Sequence, residues 1–199
     1  EAEAWQAEAI NHLVSRGAVL DLAVMDATPF SKTPWVQKLW HYDYSRLLFN
    51  LCYRFLFRPK ALQRVSVASL LSGAGVMHVV PVSKGISNYL PPDAVEAIRS
   101  RDLHFLLRFG FGIVKGDVLL AARHGVWSFH HGDEQLYRGS PPGLWEIMHG
   151  DPVTGVMLQR LTQRLDDGEV LHKGWFRTIN RSWSDHIDQL LWGAADWPA

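Results

Sequence analysis

The stretch that decides the fold runs from Gly125 to Leu171. It holds SFHHGDEQLYRG at 128–139, GDPVTG at 150–155 and RLDDGEVL at 164–171. Its first part, GVWSFHHG (125–132), has the apolar and aromatic content of a short buried strand, bounded by glycines. In an open α/β sheet, ligands bind beyond the carboxyl ends of the strands, and residues 128–132 fall at such an end. Histidine next to polar side chains there is a candidate general acid or base. The other reading is that one or both histidines only cap the strand through hydrogen bonds. Spacing alone leaves both open.

Working outward, TGVMLQRLT (154–162) and EVLHKGWFRT (169–178) read as two further strands. PPGLWEIMHG (141–150) carries proline in front of a helical pattern and glycine behind it, and SWSDHIDQLLWGAADW (182–197) closes the chain with a helix begun by Ser182 or Ser184. Upstream, LHFLLRFGFGI (103–113) is a strand running into a glycine-bearing turn, and VLLAAR (118–123) a short helix. MHVVPV (77–82) is a strand ended by Pro81, and Pro91-Pro92-Asp93 opens a helix through Arg99. Residues 5–16 place Ile10, Leu13 and Val14 on one helical face, with Gly17 as a stop, before the buried strand AVLDLAVM (18–25) and Asp26. Residues 36–57 predict a second helix, with Leu47/Leu51/Phe55 and Leu48/Cys52/Leu56 at four-residue spacing and a basic edge of Arg46, Arg54, Arg58, Lys60 and Arg64. That pattern fits a helix packed on a sheet; a membrane-surface or partner-binding helix is the alternative. Strands alternating with helices predict an α/β fold with a Rossmann-like, largely parallel sheet covered on both faces. Residues 5–199 read as one domain, with the motifs within 103–178. Glu1-Ala2-Glu3-Ala4 resembles the dipeptide remnant of a trimmed yeast secretion leader, so residues 1–4 are read as an expression scar.

Composition narrows the function. Of 199 residues, 47% are hydrophobic and 20% charged, and twenty basic side chains balance twenty acidic ones. No global field therefore recruits nucleic acid or an anionic membrane, and a nucleic-acid ligand would need a local basic patch. The single cysteine, Cys52, can form neither an internal disulfide nor a CxxC metal site, which fits a cytoplasmic, reducing compartment. The nearest approach to a spanning helix, Leu39 to Phe57, is interrupted by Asp43, Arg46, Asn50 and Arg54. His130, His131, Asp133 and Glu134 cluster in sequence like metal ligands, but neighbours on a strand point to opposite faces and no HExxH supports them, so no metal is expected. Ser128 sits in no GxSxG elbow.

Read together, these motifs resemble the formyltransferase family, whose members include glycinamide ribonucleotide transformylase, methionyl-tRNA formyltransferase, formyltetrahydrofolate hydrolase and the sugar N-formyltransferases. The family's hallmark is Asn-x-His at a strand end, Tyr-Arg-Gly seven residues after the histidine, then Gly-Asp, Thr-Gly-Val and Leu-Asp-x-Gly. Here Tyr137-Arg138-Gly139 follows His130 at that spacing. Gly150-Asp151, Thr154-Gly155-Val156 and Leu165-Asp166-Asp167-Gly168 come next. The resemblance implies the formyltransferase fold, with His130 and Asp166 in the catalytic positions. It implies 10-formyltetrahydrofolate as donor, against the loop Phe109-Gly110-Phe111-Gly112, and a small-molecule amine as acceptor. The acceptor pocket would border His131, Asp133, Tyr137 and Arg138.

Three departures from the pattern matter. Ser128 stands where the family has asparagine, removing an amide donor aimed at the oxyanion of the tetrahedral intermediate. The loop His131-Gly132-Asp133-Glu134-Gln135 replaces an apolar run, which suits a polar acceptor such as an amino sugar. The family's first strand is missing: the chain starts at the helix that should follow it, so a homo-oligomer or a partner domain is expected to complete the sheet. Hydrolysis of the formyl donor is the nearest alternative activity. A non-catalytic binding module on the same fold is the rival class.

Overall fold

The computed structural model describes residues 1–29, 59–137, 141–164 and 168–199. The helix expected over 36–57, Arg138 and Asp166 lie outside the described residues. Glu3 opens helix α1 (Ala4–Ser15) through a capping box with Gln6, and its carboxylate also accepts from Trp5 Nε1 at 2.9 Å. Just before the helix, Ala2–Glu3 (β1) pairs with Arg64–Val65 (β3), so the first residues take part in local structure. β2 (Leu22–Asp26) runs parallel to β4 (Gly75–Val79), and β5 (Val82–Lys84) folds back on β6 (Ser87–Tyr89). Helix α2 (Pro92–Arg99) begins on its proline, as expected of a residue with no N–H to offer a helix interior.

The strand and glycine-bearing turn read over 103–113 are β7 (Leu106–Arg108) and a loop in which Phe111 and Gly112 take positive φ; β8 (Ile113–Lys115) follows it. The remaining elements match the sequence reading in kind and place. They are β9 (Val126–His130), α3 (Leu144–His149), β10 (Val153–Arg160), β11 (Glu169–Arg177) and α4 (Trp183–Ala194). Ser182 caps α4 by accepting from the Asp185 amide at 3.2 Å.

The fold is α/β, and its sheets are parallel and mixed. β7 and β9 are parallel, as are β2 and β4, and β6 and β8. β10 runs antiparallel to both β9 and β11, giving the order β11-β10-β9-β7. Two apolar layers cover this sheet. On one side α4 buries Trp183, Ile187, Leu190, Leu191 and Ala194 against Trp5, Val156 and Phe129. Each fully buried Leu or Ile there contributes about 1.5–3 kcal/mol. On the other side Val95 and Ile98 of α2 meet Val114, Val118, Leu119 and Val126. Leu22, Val24 and Met77 of the β2–β4 pair pack on this second cluster beside Leu106 of β7. Among the described residues no strand joins those two sheets by hydrogen bonds.

Candidate functional site

Strand alternation sorts β9 into two faces. Phe129 and His131 turn to the α1–α4 layer. There the His131 ring stacks on Phe129 (5.8 Å, 11°) and meets the edge of Trp5 at 5.2 Å. His131 Nε2 is shielded from solvent and has no hydrogen-bond partner among the described residues. Burial, with the neighbouring His130, pushes the pKa of His131 down to about 3.

Val126, Ser128 and His130 share the opposite face with Met157, the cross-strand partner of His130. His130 Nε2 lies 3.3 Å from the Tyr137 carbonyl and donates to it, which closes the loop 131–136 over the strand end. Gly132 makes this closure possible: a Cβ there would sit 2.8 Å from the Tyr137 oxygen and 3.4 Å from His130 Nε2.

Ser128 is 1% exposed, and its surroundings were not legible in the sequence. Arg108, its register partner on β7, donates to the hydroxyl from Nε (3.1 Å) and from Nη2 (2.9 Å). The same guanidinium donates from Nη1 to the carbonyls of Gly110 (3.2 Å) and Gly112. Arg108 thus packs against the Ser128 hydroxyl and also fixes the 109–112 loop. Burial lowers the Arg108 pKa, yet a guanidinium stays charged at any working pH. Within the loop, Phe109 packs inward on Trp5 (5.4 Å) and Phe129, and Phe111 joins the α2 layer while its carbonyl accepts from Asn88 at 2.8 Å. At Gly110, by contrast, a side chain would meet nothing within 4 Å. A lone arginine at a strand end reads as a solvated edge, and only its glycine-rich successor hinted at more.

Tyr137 donates its hydroxyl proton to Asp151 and accepts from His149 Nδ1 at 2.8 Å. The Asp151 bond and burial push its pKa up to about 12. Asp133 is buried, bonded to the Gln135 amide at 2.8 Å and to Lys173 Nζ at 3.3 Å; Lys173 also reaches Glu134 at 2.8 Å. The Lys173 ammonium lies over the exposed Trp175 ring, 4.7 Å from its centroid. Glu146, hidden in the apolar pattern of α3, is 1% exposed with Oε1 unpartnered, and burial raises its pKa. Among the described residues no group of three or more His, Cys, Asp or Glu is placed to hold a metal ion, and no helix is long and apolar enough to cross a membrane.

A groove of about 620 Å³ opens at the start of β9 and the end of β10. Leu103, Leu119 and Ala122 line its apolar wall, and Arg123, Arg160 and Gln163 its polar rim. A Cβ on Gly168 would collide with the side chain of Gln159, the cross-strand partner of Ser128.

No protein-family model matches the chain. Among curated proteins it is 33% identical over 115 residues to the methionyl-tRNA formyltransferase of Caulobacter vibrioides, covering 57% of this chain and 36% of that one. It is 37% identical over 101 residues to the enzyme of the same name from Phenylobacterium zucineum, covering 48% and 33%. The chain thus spans about a third of the length of these relatives. Among solved structures, phosphoribosylglycinamide formyltransferase from Anaplasma phagocytophilum superposes with a TM-score of 0.62 at 13% identity, covering 98% of this chain and 78% of that one. Glycinamide ribonucleotide transformylase 1 from Geobacillus kaustophilus gives 0.61 at 14%, covering 98% and 90%. The formyltetrahydrofolate deformylase of Pseudomonas syringae pv. tomato gives 0.53 at 12%, covering 91% and 59%.

Proposed function

We propose, from the premise that this chain belongs to the formyltransferase family, that it moves a formyl group from a reduced-folate donor to the amine of a small polar acceptor. The observation that carries the reading is the gathering of Arg108, Ser128 and His130 on one face of β7 and β9. Gly168, two residues past Asp166, packs beside them on Gln159. In the reading that the resemblance implies, the Asp166 carboxylate would orient the His130 ring and keep it charged when the oxyanion forms. His130 already donates through Nε2 to a backbone carbonyl, which leaves Nδ1 as the nitrogen that a carboxylate or a transferred proton can meet.

The donor's expected site is the loop 109–112, which the Arg108 guanidinium holds beside Ser128. The bare backbone at Gly110 lets a flat ring approach the loop. A reduced folate would supply the activated formyl carbon. Gly110 and Gly112 would give its ring system an approach to the strand end, while Phe109 and Phe111 shape the loop from within. The acceptor lies over the loop that carries Asp133, Tyr137 and Arg138. The charged set Asp133–Glu134–Lys173 beside the exposed Trp175 supports a polar acceptor, an amino sugar being the form that best suits an indole face flanked by carboxylates. His131 shapes this pocket from behind the strand.

Incubation with 10-formyltetrahydrofolate and a panel of amines tests the proposal. The panel should include nucleotide-linked amino sugars and aminoacyl-tRNA, the latter because of the relatives' name. Formylated amine is the expected product. Formate released without an acceptor assigns hydrolysis instead. Neither product with any amine leaves a binding module.

A further inference from the structure

The substitution of serine for the family's asparagine leaves a question of chemistry: which group holds the oxyanion. The Ser128 hydroxyl is fully occupied. It accepts two N–H bonds from Arg108, and its single proton lies toward the Phe129 carbonyl at 3.3 Å. The guanidinium, in turn, has five N–H groups. Two go to Ser128 and two to Gly110 and Gly112, which leaves one N–H on Nη2 with no acceptor among the described residues. Ser128 and His130 are two residues apart on one strand face, roughly 7 Å along it. A fixed positive charge thus sits one step from the catalytic histidine position, held from two sides so that it cannot swing away.

We infer that Arg108 replaces the missing amide as the oxyanion donor of this site, with Ser128 serving to orient it. The inference rests on the formyl-transfer reading above and names one more residue in that reaction. In the step it serves, the acceptor nitrogen's lone pair forms the new C–N bond and the carbonyl π pair moves onto the formyl oxygen. That oxygen becomes the anion facing Arg108. On collapse, the carbonyl re-forms and the C–N bond to the donor breaks. The bond's electron pair stays on the donor nitrogen, which takes up a proton, while the acceptor nitrogen gives one up to the His130 side of the site. Serine is the right size for the supporting role, because an asparagine at 128 would compete for the space the guanidinium fills.

Four variants test the inference: Arg108→Ala, Arg108→Lys, Ser128→Asn and the double change R108A/S128N. Turnover is measured for each, together with calorimetric binding of tetrahydrofolate and a thermal melt. Arg108→Ala is expected to lower kcat by about 10²–10³, the loss typical of one oxyanion donor, beyond any fall in tetrahydrofolate affinity that follows from losing its hold on the 109–112 loop. Ser128→Asn in the presence of Arg108 also lowers kcat. The double variant, where the amide has room, recovers at least tenfold over Arg108→Ala. Arg108→Lys keeps the charge but not the fork, falls between, and serves if the alanine variant does not fold. A wild-type kcat in Arg108→Ala overturns the inference. So does a double variant that melts like the wild type yet turns over no faster than Arg108→Ala, which would make the arginine a loop pin only. A wild-type protein that neither binds tetrahydrofolate nor transfers or releases formyl overturns the formyl-transfer reading, and this inference with it.

Discussion

At the scale of single residues, β9 presents two adjacent histidines with opposite fates. His130 faces the site and His131 faces the core, because neighbouring side chains on a strand diverge. If His130 and Asp166 act only in the transition state, His130→Ala and Asp166→Ala each abolish turnover while the melting temperature changes little. A residual rate within tenfold of wild type in either variant would remove that residue from the catalytic pair. His131 makes a different prediction. Its pKa in the folded protein is about 3, below the ordinary histidine value near 6.5, so the unfolded chain takes up a proton before the native state does. Its contribution is intact above about pH 6.5 and is lost as pH falls from there toward 3. At pH 5 the loss is about 2 kcal/mol. His131→Phe, which keeps the stack on Phe129 and removes the unpartnered Nε2, should flatten this part of the stability profile. Urea denaturation at pH 7 and pH 5 reads it, and parallel profiles for the two proteins would refute the assignment.

At the scale of elements, α4 shows what periodicity can and cannot foretell. The spacing of Trp183, Ile187, Leu190, Leu191 and Ala194 and the serine before them predict the helix and its start. The tie made by Asp188 is invisible to such patterns: its two oxygens accept from the Lys60 and Ala61 amides at 2.9 and 2.8 Å, across more than 120 residues. Asp188→Ala leaves those two N–H groups without their acceptor. The expected cost is about 2 kcal/mol, read as a lowered urea midpoint at unchanged slope. Stability unaltered by the change would mean that water satisfies both groups. The glycine turn after β7 was legible, but β8 beyond it was not, nor that the Arg108 guanidinium gathers the Gly110 and Gly112 carbonyls. The antiparallel course of β10 also escaped the alternation rule, which speaks to fold class and not to the direction of each strand.

At the scale of the whole molecule, fold class and motif register were legible because they depend on local order along the chain. The electrostatics of the site were not, because they depend on which side chain crosses from one strand to the next. The β2–β4 pair meets the four-stranded sheet only through side chains of a shared apolar cluster, among the described residues. Packing without a hydrogen-bonded ladder opens at lower free energy. Amide exchange should therefore be faster in Leu22–Asp26 and Gly75–Val79 than in Val126–His130 and Val153–Arg160. Equal protection across both groups would show that the two sheets open as one unit.

The bond between Arg108 and Ser128 has a consequence for descent as well as for chemistry. A guanidinium and a carboxamide cannot both occupy the space beside β9, and a serine without the guanidinium leaves that space unfilled. If Arg108 serves the oxyanion with Ser128 as its support, the two positions act as one unit, in which a change at either alone is costly. Chains that keep asparagine at the position of Ser128 should carry a short side chain at the position of Arg108, and chains with serine should carry arginine.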